Sequence, residues 1–109
     1  MEFRMLYVTA ANATEAERIA EALVVERLAA CANILPAVAS IYRWRGKVEH
    51  AREVVVIAKT RAECAAAAIA RVKELHSYEV PGVVALPIDD GNPDYLRWLA
   101  AETQPPADR

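Results

Sequence analysis

His76 and Glu79 stand three residues apart, an imidazole and a carboxylate separated only by Ser77 and Tyr78. A turn at those two residues would bring them together as an N/O donor pair, the kind that suits Cu(II) or Zn(II). Cys31 and Cys64 are the two thiols of the chain. An exposed Cys31 thiolate would suit Cu(I), whereas a buried thiol is inert and serves as a small hydrophobe. The sequence holds no CxxC, no H-x-x-E and no histidine pair at i, i+4, so a tight structural zinc site is not expected. Two donors on a short turn make a weak site unless a third joins them from a neighbouring copy. The competing role for His76 is at the end of a helix, where an imidazolium is worth ~0.3–1 kcal/mol against the helix dipole. His50, beside Glu49, Arg52 and Glu53, reads as a solvated strand residue.

Catalysis finds less support. Ser40 and Ser77 lack a G-x-S-x-G elbow, and the three glycines, Gly46, Gly82 and Gly91, make no phosphate loop. The expectation is a protein without enzymatic activity. Tyr42, Trp44, Glu49, Lys59 and Trp98 offer aromatic platforms with charges of both signs, the ingredients of a small-molecule cleft. Plain packing of aromatic anchors at an interface is the competing use of the same side chains.

These residues need elements to hold them. Alternation from Phe3 to Thr9 predicts a strand. Thr14 and Glu17 have capping-box spacing and open a helix whose stripe is Ala16, Ile19, Ala20 and Leu23, with Glu15, Arg18 and Glu26 turned away. That helix runs out near Leu28 to Ala30. Strands follow at Cys31 to Trp44 and Val48 to Thr60, joined by Arg45-Gly46-Lys47. With a three-residue loop, Trp44 faces Val48 and Arg43 faces Glu49. A second helix spans Glu63 to His76, and a covered strand spans Val83 to Ile88. Asn92 as N-cap before Pro93 starts a last helix with Tyr95, Trp98 and Leu99 on its apolar side. The order predicts an α+β fold: a ferredoxin-like βαββαβ antiparallel sheet with an extra C-terminal helix and a long hairpin.

The hairpin is too long for its own domain. The strand from Ala30 to Trp44, run straight at ~3.3 Å per residue, would reach ~50 Å, against a radius of gyration of ~13 Å for a compact domain of this size. Pro36 lacks an N–H and predicts a bulge or a bend on an edge segment. Ile41, Tyr42, Trp44 and Val48 would be a hazard if left bare, so pairing with neighbouring copies under closed symmetry is expected. The chain has 109 residues, 55% of them hydrophobic, with a net charge of -2. This predicts one domain over 1–103 with a polar tail at 104–109, in the cytoplasm, with no nucleic-acid or membrane partner. Arginine outnumbers lysine, which leans towards a thermostable protein.

Several motifs resemble the CutA family of divalent-cation tolerance proteins over nearly the whole chain. They are Glu26-Arg27-Leu28-Ala29-Ala30-Cys31-Ala32-Asn33-Ile34-Leu35-Pro36, Ser40-Ile41-Tyr42-Arg43-Trp44-Arg45-Gly46-Lys47-Val48-Glu49, Lys59-Thr60, His76-Ser77-Tyr78-Glu79-Val80-Pro81, Leu86-Pro87-Ile88 and Asn92 to Leu99. The resemblance implies a homotrimer of the architecture shared with PII signalling proteins, its hairpins wrapping neighbouring subunits. It also implies a role in tolerance of divalent metals, copper especially. Some members carry a Cys late in strand one and a His-His pair before the Ser-Tyr segment. Those positions here are Val8, Leu75 and His76, so a copper site would draw on His76 with Glu79 and Cys31. A PII-like small-molecule sensor acting at subunit clefts is the alternative.

Overall fold

Alternation along the first strand decides which side of the sheet the helices cover. In a computed structural model that describes residues 1–106, strand β1 (Phe3–Ala10) turns Leu6, Val8 and Ala10 to one face. Its partners there are Ala58, Val56 and Val54 of strand β3 (Lys47–Arg61). Helix α1 (Ala13–Val25) lays Ala16, Ile19, Ala20 and Leu23 on this face, and helix α2 (Ala62–Leu75) adds Ala68 and Val72. All these core residues are small or branched, which lets two Ala-rich helices approach the sheet closely. Strand β2 (Cys31–Trp44) and strand β4 (Val83–Ile88) complete an antiparallel sheet of order β2-β3-β1-β4. This is the expected ferredoxin-like arrangement, and helix α3 (Pro93–Glu102) follows it.

Helix α3 packs on the opposite face, at one end. Its Leu99 is fully buried with Phe3 and Ala30, flanked by Cys31, Ile88 and Tyr95. Arg27 donates to the carbonyls of Ala101 and Glu102, and Arg61 to those of Ala100 and Thr103, so two guanidinium groups neutralise the negative end of α3. Gln104 is tied by its N–H to the Arg27 carbonyl. The tail expected at 104–109 is thus anchored at its start, and residues 107–109 lie outside the described residues.

Four local expectations are corrected. Strand β4 is not covered in one copy: it lies at the sheet edge, with Val84 and Leu86 exposed on the part of the face that α3 leaves bare. Helix α1 is capped by Asn12, not Thr14: Asn12 Oδ1 accepts from the Glu15 N–H at 2.9 Å. It ends at Val25 rather than near Leu28, because Arg27 takes a left-handed φ of 63°. The Arg27 and Leu28 N–H groups then close back on the Val24 and Leu23 carbonyls. The hairpin loop has two residues, with Trp44 opposite Lys47, Arg43 opposite Val48 and Tyr42 opposite Glu49. Arg45 (φ 50°) and Gly46 (φ 81°) supply the pair of positive φ angles that a tight, twist-matched hairpin turn requires.

A Cβ on Gly46 would meet no atom within 4 Å, so only backbone strain opposes a side chain there. Gly46→Ala is therefore expected to cost about 1 kcal/mol, read as a lower denaturant midpoint at unchanged slope.

The bulge expected at Pro36 is present, between Leu35 and Val38. Beyond it the β2–β3 ribbon leaves the sheet, since β1 ends at the Ala10–Val54 pair. The radius of gyration rises to 14.3 Å, with extents of 43 × 33 × 24 Å.

Candidate functional site

The ribbon leaves the sheet where β1 ends, where α1 begins and where α2 runs into its loop, and the polar side chains of all four elements meet there. Asn12 starts α1 so that Glu15 falls on the inward side of its first turn. Glu15 is only 6% exposed. Its Oε2 accepts from the Ala11 N–H at 2.9 Å and its Oε1 from the Ser77 N–H. Burial pushes this carboxyl up, but the hydrogen bonds from Ala11 and Ser77 more than offset that and hold it below the usual glutamate range. The expectation that Glu15 turns to solvent is thereby corrected.

His76 is the C-cap residue of α2, and its side chain is fully buried. Its Nε2 lies 2.7 Å from the Thr9 carbonyl oxygen, which can only accept, so Nε2 carries the proton. Its Nδ1 accepts from the Tyr78 N–H at 3.1 Å and lies 3.5 Å from Glu15 Oε1. The imidazole is a strut between β1, α1 and the loop after α2. The Tyr78 ring packs 4.6 Å from it, and Tyr78 Oη donates to Glu53 Oε2 at 2.8 Å. Burial, then the Glu53 hydrogen bond, pushes the Tyr78 phenol well above its ordinary value, so it stays a donor.

Of these residues Thr9, Glu53, Ser77 and Tyr78 line a cleft of about 910 Å³ between the ribbon and the loop after α2, while Glu15 and His76 lie behind it. Tyr42 and Trp44 form the ribbon wall, and Ser77, Tyr78 and Glu79 form the other. Arg45 crosses its mouth: its guanidinium donates to Glu79 Oε2 at 2.9 Å and lies 5.3 Å from the Trp44 ring centroid.

The other candidates gather elsewhere. Lys59 and Trp98 belong to the α3 end, where Tyr95 stacks on Trp98 at 5.7 Å and Lys59 Nζ lies 5.7 Å from the Tyr95 ring. Lys59 also donates to Asn33 Oδ1 at 3.1 Å. Cys31 lies directly opposite Lys59 on β2, its Sγ 3.2 Å from Tyr95 Oη. Burial, then the Cys31 contact, pushes the Tyr95 phenol up to about 12. Glu49 sits on the ribbon opposite Tyr42. The five aromatic and charged candidates are thus split between two places.

The three candidate metal ligands do not converge within one copy. His76 has both ring nitrogens engaged, Glu79 is paired with Arg45, and Cys31 belongs to the α3 end. Among the described residues, no three His, Cys, Asp or Glu side chains come together as a metal set. These residues therefore do not fit a preformed metal centre in the isolated subunit. Sequence reasoning missed Glu15, Glu53 and Tyr78. The Asn12-x-x-Glu15 spacing carried the signal for the first, being the same pattern as Thr14-x-x-Glu17. Nothing local marked the other two, because Glu53 and Tyr78 meet across 25 residues of chain.

Known proteins share this sequence and this fold. A family model described as CutA1 divalent ion tolerance protein matches residues 4–102. The Divalent-cation tolerance protein CutA of Thermus thermophilus is 46% identical over 99 residues, 91% of this chain and 96% of that protein. The Protein CutA homolog of Xenopus laevis is 47% identical over 93 residues, 85% of this chain but 62% of that protein. The chain thus spans little more than half the length of some curated relatives that it matches. A solved Thermus thermophilus structure, described as divalent cation tolerance protein (Cut A1), superposes with a TM-score of 0.91 at 45% identity. It covers 94% of this chain and 99% of its own. The solved CutA1 from Oryza sativa has a TM-score of 0.92 at 42% identity, covering 95% of each chain.

Proposed function

Because the chain belongs to the CutA1 divalent ion tolerance family, we propose that it acts as a homotrimer that takes up copper or another divalent cation weakly and catalyses no reaction. The observation that carries the assembly is the sheet face left bare by α3. There Tyr7, Ile57 and Val84 lie in one register row, Met5 and Leu86 in the next, with Leu35 beyond. Tyr7, Leu35, Val84 and Leu86 are all exposed in one copy. An apolar face this continuous, beside a ribbon bearing exposed Ile41, Tyr42, Trp44 and Val48, favours burial against further copies. No described helix is long and apolar enough to cross a membrane, and the working place we assign is the cytoplasm.

Weak cation binding agrees with donors that are already engaged. Any cation has to displace the Arg45–Glu79 pair, meet the Cys31 thiol, or draw ligands from two copies. Calorimetric titration of the assembled protein with Cu(II) and Zn(II) is expected to show saturable, low-affinity uptake, and no heat from either ion would overturn the reading. His76→Gln is expected to leave the Cu(II) isotherm unchanged while lowering stability by about 1–2 kcal/mol, since the buried strut to Thr9 and Tyr78 is lost. A large loss of Cu(II) affinity in that variant would restore His76 as a ligand.

A second reading has its own observation, the cleft of about 910 Å³ between ribbon and loop. That volume is in the range of small-molecule sites, and its walls combine aromatic rings with a few polar groups. On this reading the cleft senses or carries a small organic ligand.

A further inference from the structure

The carboxylate of Glu53 is the one charged group in the cleft whose partner is not a charge. Glu53 is only 7% exposed, yet among the described residues no Lys, Arg or His forms an ion pair with it. Its Oε2 takes the neutral Tyr78 hydroxyl at 2.8 Å. Its Oε1 has no protein partner among the described residues and is not sealed from solvent. A carboxylate so nearly buried with one neutral hydrogen bond is under-compensated, and a cation placed beside it gains more than it would at an open surface.

The cleft around Glu53 narrows the class of cation. Tyr42, Trp44 and Tyr78 line it, and their ring faces attract large cations of low charge density. Trp44 already receives the Arg45 guanidinium at 5.3 Å, so this ring is used in that way within the fold. Arg45 is committed to Glu79, which leaves one cation against two carboxylates in the lining. A bare divalent ion is disfavoured here: one carboxylate and a phenol fall short of the six or more oxygens that Ca²⁺ or Mg²⁺ seeks, and no set of three donors is present among the described residues. Ser40, Ser77 and Thr9 add hydroxyl groups for the N–H donors of a ligand.

We propose that this cleft is a binding site for an organic cation, a primary ammonium or guanidinium head that donates to Glu53 and lies against the rings of Tyr42, Trp44 and Tyr78. The proposal rests on the second reading above and adds the ligand class to it. The same head group exists on a free small molecule and on a Lys or Arg side chain of a second copy. The free molecule is the source we assign, because the cleft volume exceeds that of one side chain.

The test uses four probes of equal chain length on the assembled protein: butylammonium, butylguanidinium, butyrate and butanol. Ligand-observed NMR and Trp fluorescence are expected to show binding of the two cations, and neither butyrate nor butanol. Glu53→Gln keeps an oxygen for Tyr78 and removes the charge, and is expected to weaken cation binding at least about tenfold. Trp44→Leu removes the largest ring of the lining without touching the buried core, and a several-fold loss is expected in a protein whose light-scattering mass is unchanged. Equal binding of butyrate or butanol would overturn the cation assignment while leaving a small-molecule cleft standing. No binding by any probe would overturn both. A Glu53→Gln protein that binds no differently but changes mass in light scattering would assign the carboxylate to a side chain of a second copy and also overturn the proposal.

Discussion

Val84→Asp is expected to sediment as a folded monomer where the unaltered chain sediments as a trimer. Val84 lies opposite Tyr7 in the β4–β1 register, on the face that α3 leaves bare, and is 56% exposed in one copy. Within a single subunit an Asp there meets water, and its cost is limited to β-propensity, below about 1 kcal/mol. In an assembly that closes over the Tyr7, Val84 and Leu86 face, the same carboxylate is buried without a partner. The effective penalty for an unpaired buried ion is several kcal/mol, and rotational symmetry repeats it in every subunit. The substitution thus separates assembly from folding. The melting temperature of the unaltered chain is expected to rise with protein concentration, as linkage requires when association stabilises the fold, and that of Val84→Asp is not. A monomer mass for the unaltered chain would overturn the homotrimer.

Glu15→Ala is expected to produce the largest loss of stability among polar substitutions, about 2–4 kcal/mol. Both Glu15 oxygens are committed, to the Ala11 and Ser77 N–H groups, and truncation strands those donors at a nearly buried site. The effect carries a pH signature. The folded-state pKa of Glu15 lies below its ordinary value, so the unfolded chain binds the proton more tightly. Its contribution is therefore complete above the unfolded value of ~4.3 and is lost as pH falls through the lower folded value. Glu15→Gln cannot titrate and places an amide against an N–H donor. It is expected to be less stable at neutral pH and to lack this segment of the acid transition. Equal acid profiles for the two proteins, measured by denaturant unfolding between about pH 5 and 2, would remove Glu15 from the role described.

The line between what was legible and what was not runs through particular residues. Both helices against the sheet, the order of strands, the bulge at Pro36 and the Asn92–Pro93 start of α3 follow from periodicity and backbone chemistry, which act over a few residues. The turn at Gly46 was legible but its loop length was not: Arg45-Gly46 and Arg45-Gly46-Lys47 differ only in whether Arg45 accepts a positive φ. The choice between Asn12 and Thr14 as cap had the same character. Two acceptable local signals competed, and the one that buried Glu15 under Ser77 won because one distant N–H, that of Ser77, joined the nearby Ala11 N–H in satisfying its carboxylate.

The candidate site was legible only as a set of residue types. His76 stood out in the sequence beside Glu79, but spacing says nothing of what lies across the fold. The Thr9 carbonyl, 67 residues away, takes one ring nitrogen, and Arg45, 34 residues away, takes the Glu79 carboxylate. Lys59 and Trp98 looked like partners of Tyr42 and Trp44 and instead sit against Tyr95 and Asn33. By itself the sequence determined the family, the element order and the surplus length of the hairpin, because composition, periodicity and long motifs are local properties. Only the tertiary structure decided which polar groups satisfy one another and which carboxylate, Glu53, is left facing a cleft without a cation. Hydrogen-bond and charge compensation depend on through-space distance, which chain separation does not encode.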